Sequence, residues 1–143
     1  MRVLVINGPN LNLLGTRDQE TYGSGTLDDL NDRIAENYKE IQFSFFQSNL
    51  EGEIIDRIQA AMHDGTQAMI YNMGGYSHTS VAIRDALEPV SIPKVEVHIS
   101  NIHNREDFRE RSLTGRVSDG IITGFGWDSY MLGVEAVKRL TDQ

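Results

Sequence analysis

The opening stretch MRVLVINGPN, residues 1–10, indicates the fold class of this chain. Residues 3–6 are continuously apolar and rich in β-branched side chains, and the run stops at the turn sequence Asn7-Gly8-Pro9. A short apolar run without alternation is typical of a strand that is covered on both faces, as in a parallel sheet. We therefore expect the chain to begin with a buried parallel strand.

Four further runs of the same character predict four more strands, at residues 41–46, 68–71, 95–99 and 121–123. Helical patterns lie between the strands, from residue 26 onward and at about 51–63, 79–87 and 129–140. The first of these helices carries Thr26 and Asp29 at the spacing of a capping box. Strands and helices therefore alternate along the chain.

This alternation predicts an α/β fold. We expect a flavodoxin-like three-layer sandwich, with a five-stranded parallel sheet of order 2-1-3-4-5 and helices on both faces. The length of 143 residues suits a single domain, residues 1–143. In such sheets ligands bind at the carboxyl ends of the strands.

The composition excludes several classes of function. Thirteen Lys and Arg residues against 21 Asp and Glu residues give a formal net charge of −8. We therefore expect neither a nucleic-acid partner nor a polybasic membrane anchor, and an anionic ligand would need a local cationic pocket. The absence of cysteine excludes disulfides and thiolate chemistry. No apolar run reaches the roughly 18 residues of a membrane span, so we expect a cytoplasmic protein.

The connection after the first strand is unusually long, from residue 7 to residue 27. Long loops in compact domains are commonly active-site lids, and we expect a lid at about 15–25, around Arg17 and Tyr22. Polar residues follow the other strands as well. The groups expected to converge on this edge of the sheet are Asn10, Arg17, Tyr22, Asn72, His78, Glu96, His98, Ser100 and Arg109.

Glu96 and His98 are the most informative of these residues. They lie two positions apart in a predicted strand and therefore on the same face. A carboxylate beside a histidine orients its ring and favours proton donation, which is the role of a general acid. The other interpretation is a histidine whose hydrogen bonds are satisfied within the core.

A metal site is a second interpretation, because His78, His98, His103 and Glu96 are ligand types that suit zinc. Their spacing matches no compact zinc motif, and we expect no metal. Arg17 could equally form a surface ion pair with Asp18 or Glu20. Neither a Walker A motif nor a G-x-G-x-x-G turn follows any predicted strand, so nucleotide binding is disfavoured.

Three segments in order resemble one known family. They are VINGPNLNLLGTR (5–17) with Tyr22-Gly23, GGYSHTSVAIRDAL (74–87) and EVHISNIHNREDFR (96–109). The chain is similar nearly from end to end to type II 3-dehydroquinate dehydratases. It departs from the usual family pattern at Met73, at Leu50 and in residues 110–117, where the family usually has a proline, a histidine and a His-Ser-Tyr segment respectively.

The resemblance implies a catalytic domain that removes water from 3-dehydroquinate to give 3-dehydroshikimate, in the shikimate (aromatic amino acid) or the quinate pathway. The implied mechanism is an anti elimination through an enolate, without metal or cofactor. It assigns Tyr22 as the base, Arg17 as the cation that favours its phenolate, and His98, oriented by Glu96, as the acid. Asn10 would hold a water molecule that stabilises the enolate oxygen.

The resemblance also implies a set of binding residues. Asn72 and the backbone amides near Ile99 and Ser100 would bind the substrate carboxylate, and His78 and Arg109 would bind the ring hydroxyls. Asp85 would contact the site of a neighbouring subunit in a dodecamer built from four trimers. Two alternatives stay open: a non-catalytic module that binds small carboxylates on the same fold, and a metal hydrolase.

Overall fold

A five-stranded parallel sheet forms the centre of the molecule. Its strands are β1 (Arg2–Asn7), β2 (Gln42–Gln47), β3 (Ala68–Asn72), β4 (Lys94–His98) and β5 (Gly120–Thr123). The strand order is β2-β1-β3-β4-β5, and every neighbouring pair is parallel. The computed structural model describes residues 1–16, 20 and 24–143. The fold class and strand order predicted from the sequence are confirmed.

Helices cover both faces of this sheet. They are α1 (Leu27–Asn37), α2 (Glu51–Ala61), α3 (Tyr76–Thr79), α4 (Val81–Leu87) and α5 (Asp128–Thr141). Short 3-10 turns lie at Leu11–Leu13, Ile102–Asn104, Asp107–Arg109 and Gly115–Val117. Among the residues described, no helix is both long and apolar enough to cross a membrane.

The sheet separates two apolar cores, as expected for three layers. Val3 and Val5 point to the core formed with α1 and α5, whereas Leu4 and Ile6 point to the core formed with α2 and α4. All four side chains of this strand are at most 1% exposed. The outer strands differ from the predicted full burial: Ser44 of β2 and residue 121 of β5 are exposed, because the helices cover mainly the central strands.

The helix boundaries follow local capping. Thr26 forms the predicted capping box, since its Oγ1 accepts from the Asp29 amide at 3.1 Å and its own amide donates to that aspartate at 3.0 Å. The helix predicted at 79–87 begins instead at Val81. Ser80 has an extended backbone (φ −93°, ψ 100°) and its Oγ caps the helix by accepting from the Ile83 amide at 2.9 Å.

The strand register brings together the polar residues at the carboxyl ends of the strands. Asn7 lies beside Gln47 on one side and Asn72 on the other, and Glu96 lies beside Tyr71. The chain after β1 then packs against the chain after β3. A side chain at Gly8 would come within 2.4 Å of the Met73 carbonyl oxygen, so only glycine allows this approach.

Candidate active site

A pocket lies at the carboxyl ends of β1, β3 and β4, the edge that the sheet topology predicts for a ligand. It is lined by Pro9, Asn10, Leu11, Asn72, Gly74, Gly75, His78, His98, Ile99, Ser100, Ile102, Arg105 and Arg109. Seven of these side chains or backbone positions are among the predicted site residues: Asn10, Asn72, His78, His98, Ile99, Ser100 and Arg109. The lining also includes two arginines, Arg105 and Arg109, although the net charge of the chain is −8.

His98 stands at the end of β4 against the carboxylate of Glu96. Its Nε2 lies 2.9 Å from Glu96 Oε2, and the two side chains are 6% and 0% exposed respectively. Glu96 is therefore behind the pocket, and it contacts ligand space only through the imidazole. This arrangement fits the predicted orientation of a general acid by a buried carboxylate.

Glu96 has two further partners that the sequence analysis did not identify. Ser112 Oγ donates to Glu96 Oε2 at 2.6 Å, and Thr114 Oγ1 donates to Glu96 Oε1 through a short hydrogen bond. Both donors come from the loop before β5. Their only sequence signal was two hydroxyl residues in a segment that departs from the usual pattern, and no spacing rule connects that segment to a strand.

His78 faces His98 across the pocket, with ring centroids 6.3 Å apart. Its Nδ1 lies 2.7 Å from the Arg111 carbonyl oxygen. Because a carbonyl only accepts, Nδ1 carries the proton and Nε2 remains an acceptor in the neutral ring. Burial lowers the pKa of His78 below its ordinary value, and the positive charge on His98 or Arg109 acts in the same direction. A neutral His78 is suited to accept a hydrogen bond from a hydroxyl group.

Asn72 ends β3 within a buried polar network. Its Nδ2 donates to Tyr130 Oη at 3.1 Å, and its Oδ1 accepts from the Gly74 amide at 3.0 Å. Tyr130 in turn donates to Asn7 Oδ1 at 2.5 Å. These bonds determine which way the Asn72 amide faces and leave one N–H on Nδ2 to donate to a ligand.

The two remaining sides of the pocket come from loops. Asn10 is exposed and has a left-handed backbone (φ 71°), and its amide donates to Asn49 Oδ1 at 3.0 Å. Arg105 Nη1 donates to Ser100 Oγ at 3.3 Å, and Arg109 Nε donates to Glu106 Oε2 at 2.6 Å. Arg105 was absent from the predicted set, although it lies within the quoted segment 96–109.

Besides Glu96, which lies behind the pocket, three predicted site residues are not placed in its lining. Arg17 and Tyr22 lie outside the described residues. Asp85 is on α4 with its side chain 61% exposed, where Arg84 contacts it at 3.2 Å, and it does not line the pocket. Its predicted role, which concerns a neighbouring subunit, stays a prediction.

The zinc interpretation lacks a ligand set in the described part of the chain. Within residues 1–16, 20 and 24–143, no three His, Asp or Glu side chains come close enough together to hold a metal ion. Of the proposed ligands, Glu96 already accepts bonds from Ser112 and Thr114. The site instead offers an imidazole that is held by a buried carboxylate, a second imidazole with a free acceptor nitrogen, an amide and two arginines.

Comparison with known proteins gives consistent matches. A family model described as "Dehydroquinase class II" matches residues 1–138. The protein named 3-dehydroquinate dehydratase of Thermotoga neapolitana is 50% identical, covering 100% of this chain and 98% of that protein. The protein of the same name from Polynucleobacter asymbioticus is 51% identical, covering 96% and 95%. The crystal structure of type II dehydroquinase from Butyrivibrio crossotus matches with a TM-score of 0.94 at 47% identity, covering 96% of this chain and 97% of that one.

Proposed function

This chain belongs to the class II dehydroquinase family, and we propose from that premise that it is a hydro-lyase that converts 3-dehydroquinate to 3-dehydroshikimate and water. The observation that carries the proposal is the placement of His98 against buried Glu96, in a pocket that also contains Asn72, His78 and Arg109. The reaction is part of the shikimate or the quinate pathway.

The leaving hydroxyl group departs with a proton from His98. Glu96 accepts a hydrogen bond from Nε2, so Nδ1 is the ring nitrogen that remains to serve the substrate. An imidazolium that is held by a buried carboxylate loses its proton to the departing oxygen as the carbon–oxygen bond breaks. One carbon–hydrogen bond and one carbon–oxygen bond break, and a carbon–carbon double bond conjugated with the ketone forms.

The proton beside the ketone leaves to Tyr22 in this proposal, and the enolate that results expels the hydroxyl group on the opposite face. A free tyrosine is protonated at neutral pH. A guanidinium close to the phenol favours the phenolate, and we assign that role to Arg17. Asn10, which lines the pocket, holds the water molecule that stabilises the enolate oxygen.

The remaining residues bind the substrate. Asn72 and the backbone at Ile99 and Ser100 bind the carboxylate, and His78 and Arg109 bind the ring hydroxyls. The geometry of His78 supports this assignment, because its Nε2 is an acceptor. The positive charge of the two pocket arginines favours an anionic substrate in an otherwise acidic chain.

We also propose three properties that rest on membership of the family. Residues 1–143 act as one catalytic domain, in which the segment at about 15–25 closes over the pocket as a lid. The subunits assemble as a dodecamer of four trimers, in which Asp85 reaches a neighbouring site. The enzyme works in the cytoplasm, in keeping with the absence of cysteine.

Two departures from the family pattern lie away from the reacting groups. Met73 is fully buried in the core formed with α2 and α4. Leu50 is 60% exposed at the start of α2. Neither side chain lines the pocket, which is consistent with an unchanged reaction.

The test is the appearance of the ultraviolet absorbance of a conjugated enone when 3-dehydroquinate is added. We expect turnover by the wild type that survives exhaustive chelation, and a loss of at least about 100-fold in Tyr22→Phe and Arg17→Ala. Tyr38→Phe is the matched control, because Tyr38 contacts Met131 and Glu135 outside the site. Binding of a quinate-like acid without turnover would instead favour the non-catalytic module, and loss of activity with chelator would favour a metal hydrolase.

A further inference from the structure

The carboxylate of Glu96 is surrounded by hydrogen-bond donors. Oε2 accepts from His98 at 2.9 Å and from Ser112 at 2.6 Å, and Oε1 accepts from Thr114. The Glu96 side chain is 0% exposed, so no bulk water competes for these positions. A buried carboxylate with three protein donors is held in one orientation.

The directions of these bonds follow from the donors' own partners. Ser112 Oγ accepts from the Gly115 amide at 2.9 Å, and its single proton is directed to Glu96 Oε2 at 2.6 Å rather than to Thr114 Oγ1 at 3.3 Å. The hydroxyl groups donate to both carboxylate oxygens, and hydrogen bonds of this kind favour the charged form of the carboxyl group. His98 must then donate from Nε2, which leaves its other nitrogen for the substrate.

The two hydroxyl residues belong to a loop that is hydrogen-bonded to both α3 and β3. We call residues 111–115 the strap. The Arg111 carbonyl accepts from His78 at 2.7 Å, and Tyr71 Oη donates to the Thr114 carbonyl at 2.7 Å. The Leu113 amide donates to the Ser77 carbonyl at 2.7 Å. One short segment thus provides the carbonyl that binds His78 and the two hydroxyl groups that bind Glu96, the partner of His98. Ser112 and Thr114 themselves do not line the pocket.

Packing leaves no space between the strap and the carboxylate. A Cβ added at Gly115 would lie 2.8 Å from Glu96 Oε2 and 2.5 Å from Ile121 Cδ1. The strap therefore approaches the carboxylate more closely than a residue with a side chain at this position would allow. Such close contact is what a loop that aims two hydroxyl groups at one carboxylate requires.

Among the described residues, the other titratable or charged groups beside this cluster include Tyr71, His78, Arg105 and Arg109. Burial raises the pKa of Tyr71 on β3, and the charge of Glu96 adds to that effect, so Tyr71 stays neutral. Burial lowers the pKa of His78 on α3. Arg109 lies on the pocket side, where its Nε donates to Glu106.

We propose that Ser112 and Thr114 are positioning residues for the dehydration: their hydroxyl groups hold Glu96 ionised and oriented, and thereby set how readily His98 releases its proton. This inference rests on the proposed function. Without a hydroxyl donor the anion is less stabilised, and the Glu96–His98 pair binds its proton more tightly. A more tightly bound proton makes His98 a weaker acid, and it is lost only at higher pH.

The decisive experiment compares Thr114→Val with Thr114→Ser in the full enzyme. Valine has the shape of threonine without the hydroxyl group, and serine restores that group. For Thr114→Val we expect kcat to fall roughly tenfold, the effect of one lost hydrogen bond to a charged group. We expect KM to change less than about twofold, because Thr114 does not line the pocket. The basic limb of the pH profile of kcat should move up by about one pH unit.

Thr114→Ser should recover most of kcat and the original pH profile. Ser112→Ala provides a second arm, with the same directions of change, if Thr114→Val does not fold. Ser129→Ala is the control for structural damage, since Ser129 is fully buried and its Oγ accepts from the Phe125 amide at 3.1 Å. We expect this control to lower thermal stability without moving the pH profile.

An unchanged pH profile in Thr114→Val would overturn the proposal, as would equal losses of kcat in the valine and serine variants. A readout without substrate separates this inference from the proposed function. With only four histidines in the chain, the Nε2-bound proton of His98 is accessible to NMR. Because the Glu96–His98 pair binds its proton more tightly without the hydroxyl donor, we expect that proton to exchange more slowly in Thr114→Val than in Thr114→Ser, even if the wild type fails to dehydrate 3-dehydroquinate. Equal exchange in the two variants would refute the positioning role.

Discussion

Removing the hydroxyl group of Tyr130 tests the buried network behind Asn72. Tyr130 donates to Asn7 and accepts from Asn72, and these two asparagines are 1% and 5% exposed. Tyr130→Phe keeps the ring, so it creates almost no cavity. It leaves one unpaired acceptor and one unpaired donor in the interior instead.

The magnitude follows from the number of groups left without a partner. A buried polar group that loses its hydrogen bond costs roughly 1–3 kcal/mol. Asn72 retains its bond to the Gly74 amide, so we take the lower part of that range for each asparagine. The free energy of unfolding should fall by about 2–4 kcal/mol. At roughly 4 °C for each kcal/mol in a domain of this size, Tm should fall by about 8–16 °C.

Urea unfolding followed by circular dichroism measures this loss, and steady-state kinetics measures its effect on the site. We expect KM to rise more than kcat falls, because the amide of Asn72 is freed to rotate away from the substrate. Tyr38→Phe is again the matched control: the Tyr38 hydroxyl contacts Met131 and Glu135 on a half-exposed surface, and its loss should cost less than about 1 kcal/mol. If the two tyrosine variants lost equal stability, the hydrogen bonds of Tyr130 to Asn7 and Asn72 would not contribute the expected free energy of unfolding.

Three further predictions concern single residues. His98→Gln should lower kcat by about 10²–10⁴-fold while the far-ultraviolet dichroism stays native, and retention of a tenth of the activity would contradict its role as the acid. KM should stay constant from pH 8 to about 6.5 and rise only at more acidic pH. Burial lowers the pKa of His78, and protonation of His78 abolishes the Nε2 acceptor. An inflection above pH 7 that disappears in His78→Asn would contradict this prediction. Gly8→Ala should cost roughly 1–3 kcal/mol in urea unfolding, since the new methyl group meets the Met73 carbonyl oxygen at 2.4 Å, whereas Gly52→Ala, which meets no atom within 4 Å, should be neutral or stabilising.

Much of the fold could be predicted because its signals are local. Apolar runs without alternation marked the strands, and the alternation with helices implied a parallel sheet. Capping chemistry at Thr26 depends on a residue three positions away, and it was confirmed. The site edge followed from topology, because parallel strands place their carboxyl ends together. Glu96 and His98 could be paired in advance, since two residues separated by one position in a strand share a face.

Contacts between segments far apart in the chain could not be inferred in this way. The helix expected at 79–87 divides at Ser80, whose hydroxyl group donates to Glu51 from 29 residues away. A capping serine and a helical serine look the same in a local pattern. The choice between them depends on which group the tertiary packing brings next to the serine hydroxyl.

Periodicity along the chain was therefore enough to specify the strands, the layers and the edge at which chemistry takes place, because burial and hydrogen bonding within an element repeat over a few residues. The surroundings of the reacting groups depend on contacts between residues that are far apart in the chain. Thr114 lies 18 residues from Glu96, and Tyr130 lies 123 residues from Asn7. A hydroxyl group acquires a partner only when packing brings it within about 3 Å of one, and no local pattern encodes that distance.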